Sequence, residues 1–183
     1  MISEQLKSIT KNLHDRVEAK FNSDKIFSGT FTTEDYRMLI HYNYLFLLNF
    51  ENNVFSKISP ANSGKLNLEN RRKLHLIEND VEILNIPRAT QQDISVKNEA
   101  EAFGILYVME GSTLGGNVIA KQLSKNPAFQ EVSFNYFRCY GENTGMMWKN
   151  FKEVLNLEIE EQDYEDCIIG AQKAYDFLLA ASL

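Results

Sequence analysis

The chain has 183 residues, with 25 acidic against 19 basic side chains and a formal net charge of −6. Such a length suits one hydrophobic core rather than two, and the acidic balance excludes nucleic acid or an anionic membrane surface as the principal partner. The N-terminus lacks a signal-peptide apolar region and no apolar run approaches the ~20 residues that cross a bilayer, so a cytoplasmic protein is expected.

In chain order, Leu6, Ile9, Leu13, Val17 and Phe21 recur at helical intervals over residues 3–21, with Ser3 as the expected N-cap. Gly29 breaks the pattern, and a second, long helix is predicted to start at Thr32 or Thr33 and run towards Phe55, with Glu34 and Asp35 in its first turn. "SPANSGKLNLENRR" reads as turn-rich, and "LENRRKLHLIENDVEIL" as a third, more exposed helix. A fourth is predicted in "SVKNEAEAFGILYVMEGSTLGGNVIAKQL", a fifth towards the end of "SFNYFRCYGENTGMMWKNFKEVLNL" and a sixth in "EDCIIGAQKAYDFLLAASL". No alternating strand pattern, internal repeat or low-complexity tract interrupts them. The expected fold is therefore all-α, a single-domain bundle of about six helices covering residues 1–183.

Few residues could carry chemistry. Cys139 and Cys167 lack CxxC or CxxH spacing, so buried or incidental thiols are expected. The residues three before His14, His41 and His75 are Lys11, Met38 and Arg72, so the Glu-x-x-His pairs of a di-iron bundle are missing. Serine-nucleophile, P-loop and dinucleotide patterns are missing too. His41 lies among aromatic and aliphatic neighbours and reads as structural; His75 reads as exposed.

His14 lies at the flank of the first helix's apolar face, where an imidazole can point into the bundle. Glu18 follows by four residues, on the same face, an arrangement that fixes tautomer and basicity in a metal-binding histidine. Lys7 and Lys11, two turns and one turn earlier, suit the anionic groups of a ligand whose metal His14 would hold. A core-edge histidine, an ordinary ion pair and solvated lysines would explain the same residues.

Gly111, Gly115 and Gly116 interrupt the apolar run Val108, Leu114, Val118, Ile119, Leu123, at about 1 kcal/mol each relative to alanine in a helix. Close helix packing is one reason for such a cluster. A strip of bare backbone against a flat ligand is another. A porphyrin between this strip and the His14 helix would have iron on one side, backbone on the other and propionates near the lysines.

With these residues the chain resembles the haem oxygenases, in particular their bacterial biliverdin-forming branch. "LKSITKNLHDRVEAKF" is similar to the family's proximal helix and "YVMEGSTLGG" to its distal helix; "YGENTGMMWKNF" and "AYDFLLA" extend the likeness over almost the whole chain. The resemblance implies His14 as the axial ligand of haem iron and Glu18 as its partner. It implies Gly111, Ser112, Gly115 and Gly116 as the oxygen-side surface and Lys7 and Lys11 as propionate contacts. Lys149 matches a second basic contact, Phe177 an aromatic on the pocket wall, and Tyr107 falls one residue from the family's distal tyrosine.

The implied reaction is the O2- and electron-dependent opening of haem to biliverdin, CO and ferrous iron, haem being substrate and cofactor together. An external electron donor would be needed, such as a ferredoxin, a flavodoxin or a flavin reductase, and a bilin-binding photoreceptor could receive the product. A monomer is expected. Many animal members carry aspartate after the first distal glycine; Ser112 stands there and can hydrogen-bond water but brings no charge. A haem carrier, store or sensor without ring-opening activity is the alternative that this departure supports.

Overall fold

The structure, a computed structural model, describes residues 1–182. The described residues form eight α-helices, joined by turns and short 3-10 segments and without a strand. They are α1 (Ile2–Lys20), α2 (Ser23–Ser28), α3 (Thr33–Phe55), α4 (Pro60–Leu66), α5 (Leu74–Ile83), α6 (Glu99–Leu123), α7 (Thr144–Glu158) and α8 (Tyr164–Ala180).

The all-α expectation holds, and the count of about six is corrected to eight. The additions, α2 and α4, have six and seven residues, too few for a helical period to emerge from the sequence. What read as turn chemistry in "SPANSGKL" is a helix start: Ser59 accepts the Asn62 N–H and Pro60 occupies the first turn. The third predicted helix is split, a 3-10 turn over Leu68–Arg71 preceding α5. Ser3 is not the cap of α1. The helix starts at Ile2, and the Ser3 N–H, one of the orphan donors of its first turn, is taken by Asn156 Oδ1 of α7 at 3.0 Å.

The start of α3 is a capping box. Thr32 Oγ1 accepts the Asp35 N–H at 3.1 Å, and Asp35 Oδ2 accepts the Thr32 N–H at 2.9 Å. Burial pushes the Asp35 carboxyl up, but hydrogen bonds from Thr32 and Lys25 together outweigh it and hold the group below its ordinary value. A depressed carboxyl contributes stability that is present above its unfolded value and is lost as pH falls through the folded one. Asp35→Asn is expected to lower stability by about 1 kcal/mol at neutral pH. Urea melts of the two proteins should converge as pH drops below the carboxylate range; a constant gap would remove the charge from the explanation.

At the centre α6 crosses α8 at a distance that only glycine permits. A Cβ on Gly104 would collide with the Cys167 carbonyl, and one on Gly170 with the Glu101 carbonyl. α8 also packs along α1, so it touches the first helix on one side and α6 on the other. Lys20 at the end of α1 reinforces this by donating to the carbonyls of Leu178 and Leu179, both at 2.9 Å, and of Ala181. α2 contacts both α1 and α6. α7 touches both helices as well, so the His14 helix and the glycine-bearing helix are bridged three times, by α8, α7 and α2.

Candidate functional site

His14 is on the rim of α1 and not in the bundle interior: 53% of its side chain is exposed. The reason is the helix period. The buried face of α1 comprises Ile2, Ser3, Leu6, Thr10 and Val17, whereas Lys7, Lys11, His14 and Glu18 follow one another on the solvent side of it. The imidazole rests edge-on against Tyr175 of α8, ring centroids 6.3 Å apart. Its Nδ1 faces carboxylate oxygens of Asp15 and Glu18, each 3.8 Å away, within electrostatic reach. Carboxylates on Nδ1 favour a proton there and leave the lone pair on Nε2, the form that ligates a metal.

The lysines differ. Lys11 is engaged by Asp15 at 2.6 Å, whereas Lys7 has no ion-pair partner among the described residues. Lys149 is exposed on α7, with Glu153 3.8 Å away. Tyr107 is half-buried where α6 faces Glu4 of α1 and Tyr175 of α8; burial and then the Glu4 charge push its hydroxyl pKa up. Its ring packs on Trp148 of α7 with a centroid separation of 5.4 Å. Phe177 turns towards α3, edge-on to Phe50 at 5.2 Å and tilted against Phe46 at 6.3 Å. Tyr175, not singled out from sequence, is the α8 aromatic that touches His14.

The three glycines do not form one bare strip. A Cβ at Gly116 would stand 2.7 Å from the Phe137 ring, and one at Gly111 would meet Trp148 at 3.6 Å. At Gly115 a Cβ would meet nothing within 4 Å. Packing of the Phe137 ring therefore accounts for Gly116; Gly111 would accept a Cβ in ordinary contact with Trp148, and open backbone is left at Gly115. Beside it α6 exposes Leu114 and Val118, 40% and 47% accessible; on α2, Phe27 is 65% exposed. A shallow, open depression lined by Asp15, Glu18, Ala19, Asn22, Ser23, Asp24 and Phe27 lies beside the His14 helix.

Beneath this face α6 is anchored by charges. Glu110, fully buried and immediately before Gly111, binds Arg71, Lys73 Nζ at 2.5 Å and the Tyr140 hydroxyl at 2.9 Å. Arg71 also donates to the Leu66 carbonyl at 2.8 Å and to Asn150 Oδ1 at 2.8 Å. Burial pushes the Lys73 ammonium down, but the charge of Glu110 outweighs it and holds the group above its ordinary value. Sequence reading missed this cluster; its only signal was a glutamate inside the apolar run "YVMEGS". Both thiols are free, and burial raises Cys139 to about 11 and Cys167 to about 12, as inert cysteines require.

The geometry so far is a rim histidine with a carboxylate behind it, open helix backbone, exposed apolar side chains and an unpaired lysine. A family model, that of heme oxygenase, matches residues 1–181. The chain belongs to the haem oxygenase family. Among curated relatives, a heme oxygenase of Xanthomonas campestris pv. campestris is 28% identical over 149 residues, covering 80% of this chain and 88% of the relative. Among solved structures, the NO- and CO-bound heme oxygenase of Neisseria meningitidis superposes with a TM-score of 0.75 at 22% identity, over 97% of this chain and 88% of that one. That likeness establishes the haem oxygenase helical fold. No helix among the described residues is long and apolar enough to cross a membrane.

Proposed function

We propose that this haem oxygenase, an oxidoreductase that takes haem as substrate and uses O2, holds the iron through His14 on α1 and presents the oxygen side from α6. The geometry at His14 carries the assignment: an imidazole that is half exposed, with its Nδ1 beside two carboxylates. Glu18 orients and polarises the ring. Bound haem supplies the oxygen-activating iron and is itself the molecule that is opened.

The chain's own residues then do four things. His14 Nε2 would offer the iron a lone pair without the strong electron push of a thiolate. Gly115 exposes backbone where a side chain would occupy the oxygen side, Gly116 lets Phe137 close in on one flank, and Trp148 lies beside Gly111 on the other. Ser112 supplies a neutral hydroxyl there to hold or pass a proton. Lys7 meets a propionate carboxylate, with Lys11 and Lys149 as further basic groups once they leave Asp15 and Glu153. Tyr107 closes the end of the site where α1, α6 and α8 meet, and Phe177 stiffens α8 from behind through its contacts with α3. The enzyme acts as a single domain and a monomer in the cytoplasm, and it receives electrons from a ferredoxin, flavodoxin or flavin reductase. A bilin-binding photoreceptor is a fitting recipient of its product.

The test is a haemin titration followed by reductant in air. Loss of the Soret band with a catalase-resistant rise of biliverdin is the expected result; a Soret band that survives would make the protein a haem carrier. Gly115→Leu probes the oxygen side. Its side chain enters open space inside a helix, so the melting temperature should hold or rise, while haemin affinity falls about tenfold or more, the effect of a steric penalty of about 1.4 kcal/mol. Undiminished affinity would take Gly115 off the oxygen side of the site.

A further inference from the structure

Residues 134–140, an irregular run ahead of α7, hold α6 at two points. The Phe137 ring lies against Gly116, with Tyr36 of α3 behind it at 6.1 Å between centroids, and the Tyr140 hydroxyl donates to Glu110 at 2.9 Å. Glu110 and Gly116 are separated by about 9 Å along the helix. Between those holds is the part of α6 most open to bending. It carries Gly111 and Gly115, and its Gly111–Ser112 pair is of the kind at which helices kink. Ser112 and Thr113 also donate back to the Met109 and Glu110 carbonyls at 2.8 and 2.6 Å, bonds that often bend a helix. The course of α6 across its glycines is therefore set from outside, by the two contacts that residues 134–140 make.

Those contacts hang on Asp80 of α5. Its Oδ1 accepts the Asn135 backbone N–H at 3.1 Å and the Asn135 amide at 2.8 Å, and its Oδ2 accepts the Tyr136 N–H at 2.8 Å. Two successive backbone N–H groups thus converge on one carboxylate, an anion nest. Immediately before them Phe134 has a φ of 55°, a left-handed conformation that a bulky residue keeps only where its surroundings hold it. Asp80 is almost wholly buried and has no ion-pair partner among the described residues, so the carboxylate depends on these donors as much as they depend on it.

We propose that Asp80 is a positioning residue for the oxygen side: by holding residues 134–140 it makes Phe137 and Tyr140 fix the course of α6, and with it the space above the haem at Gly115. This rests on the assignment of α6 as the oxygen side. None of the hydrogen bonds of the Asp80 carboxylate goes to α6 itself, so the residue acts through the turn.

The experiment compares two ligands of the ferric, haemin-loaded protein by visible titration: azide, which is thin, and imidazole, which needs more room. In Asp80→Asn one carboxylate oxygen becomes a donor and leaves a buried N–H facing it unpaired. The turn should loosen, and imidazole affinity is expected to rise about tenfold relative to azide, the scale of one such unpaired group. Phe137→Leu should move the ratio in the same direction, and the double variant no further than either alone. A general loss of stability would weaken both ligands together and leave the ratio unchanged. Gly115→Ala, whose methyl enters the open space, should move the ratio the other way. If it does and Asp80→Asn changes nothing, or if the Asp80 and Phe137 effects add, the role of Asp80 is overturned and the site assignment stands. An unchanged ratio in Gly115→Ala overturns the site assignment and the proposal with it. Should Asp80→Asn melt too low to load, Asn135→Ala removes only the side-chain donor and is expected to move the ratio about threefold; no change there overturns the proposal.

Discussion

His14→Ala is expected to abolish the histidine-ligated Soret spectrum of the haemin complex and to lower ring-opening turnover by well over about 100-fold. Loss of a group behind a metal ligand costs about 10- to 100-fold, so loss of the ligand itself should cost more. The imidazole is half exposed and makes only an edge contact with Tyr175, so the fold has little to lose. Its stability should stay within about 0.5 kcal/mol of the parent, as for other surface substitutions. Glu18→Gln should be intermediate, with the spectrum retained and turnover lower by about tenfold. Free imidazole added to the alanine variant should restore the spectrum. A variant with the parent's spectrum and turnover would place the iron elsewhere.

Gly104→Ala is the change with the largest effect on stability. The added methyl collides with backbone, the Cys167 carbonyl, and backbone on a packed helix cannot step aside as a side chain can. Overpacking costs about 1–3 kcal/mol where side chains can adjust, so about 3 kcal/mol or more is expected here, a fall in melting temperature on the order of 10 °C for a chain of this size. Gly170→Ala should behave alike, since its methyl meets the Glu101 carbonyl. The informative control is Gly115→Ala. There the methyl enters open space inside a helix, so the same substitution should stabilise the ligand-free protein by up to about 1 kcal/mol. Thermal melts of the three variants decide the matter; equal melting of Gly104→Ala and the parent would mean that α6 and α8 can separate freely.

These glycines also mark where sequence reading stops. The cluster at 111, 115 and 116 drew attention because its members are close together, yet the positions where glycine is obligatory, 104 and 170, are isolated and look ordinary. What demands glycine there is a neighbour on a helix far away in the chain, which no local pattern records. Helices longer than two turns were legible from the spacing of apolar residues, as α1, α3, α6 and α8 are. α2 and α4 were not, because six or seven residues cannot display a period. His14 and Glu18 were legible as a pair, but the direction of the imidazole depended on which flank α8 would cover. "LENRRKLHLIENDVEIL" reads as a more exposed helix, whereas its Arg71 and Lys73 are almost wholly buried. Their counter-charge, Glu110, is 37 residues beyond Lys73, and only the fold brings them together.

The exposed Phe27, Leu114 and Val118 have a consequence for the protein's life between turnovers. If haem covers this apolar rim, substrate acts as a folding ligand: at a hundred times its dissociation constant it adds about 2.7 kcal/mol to the folded state by mass action alone. The empty form then carries both the lower stability and the sticky surface. Abundance of the enzyme would follow its substrate without any regulator, since chains that find haem persist while idle ones are left to aggregation and proteolysis.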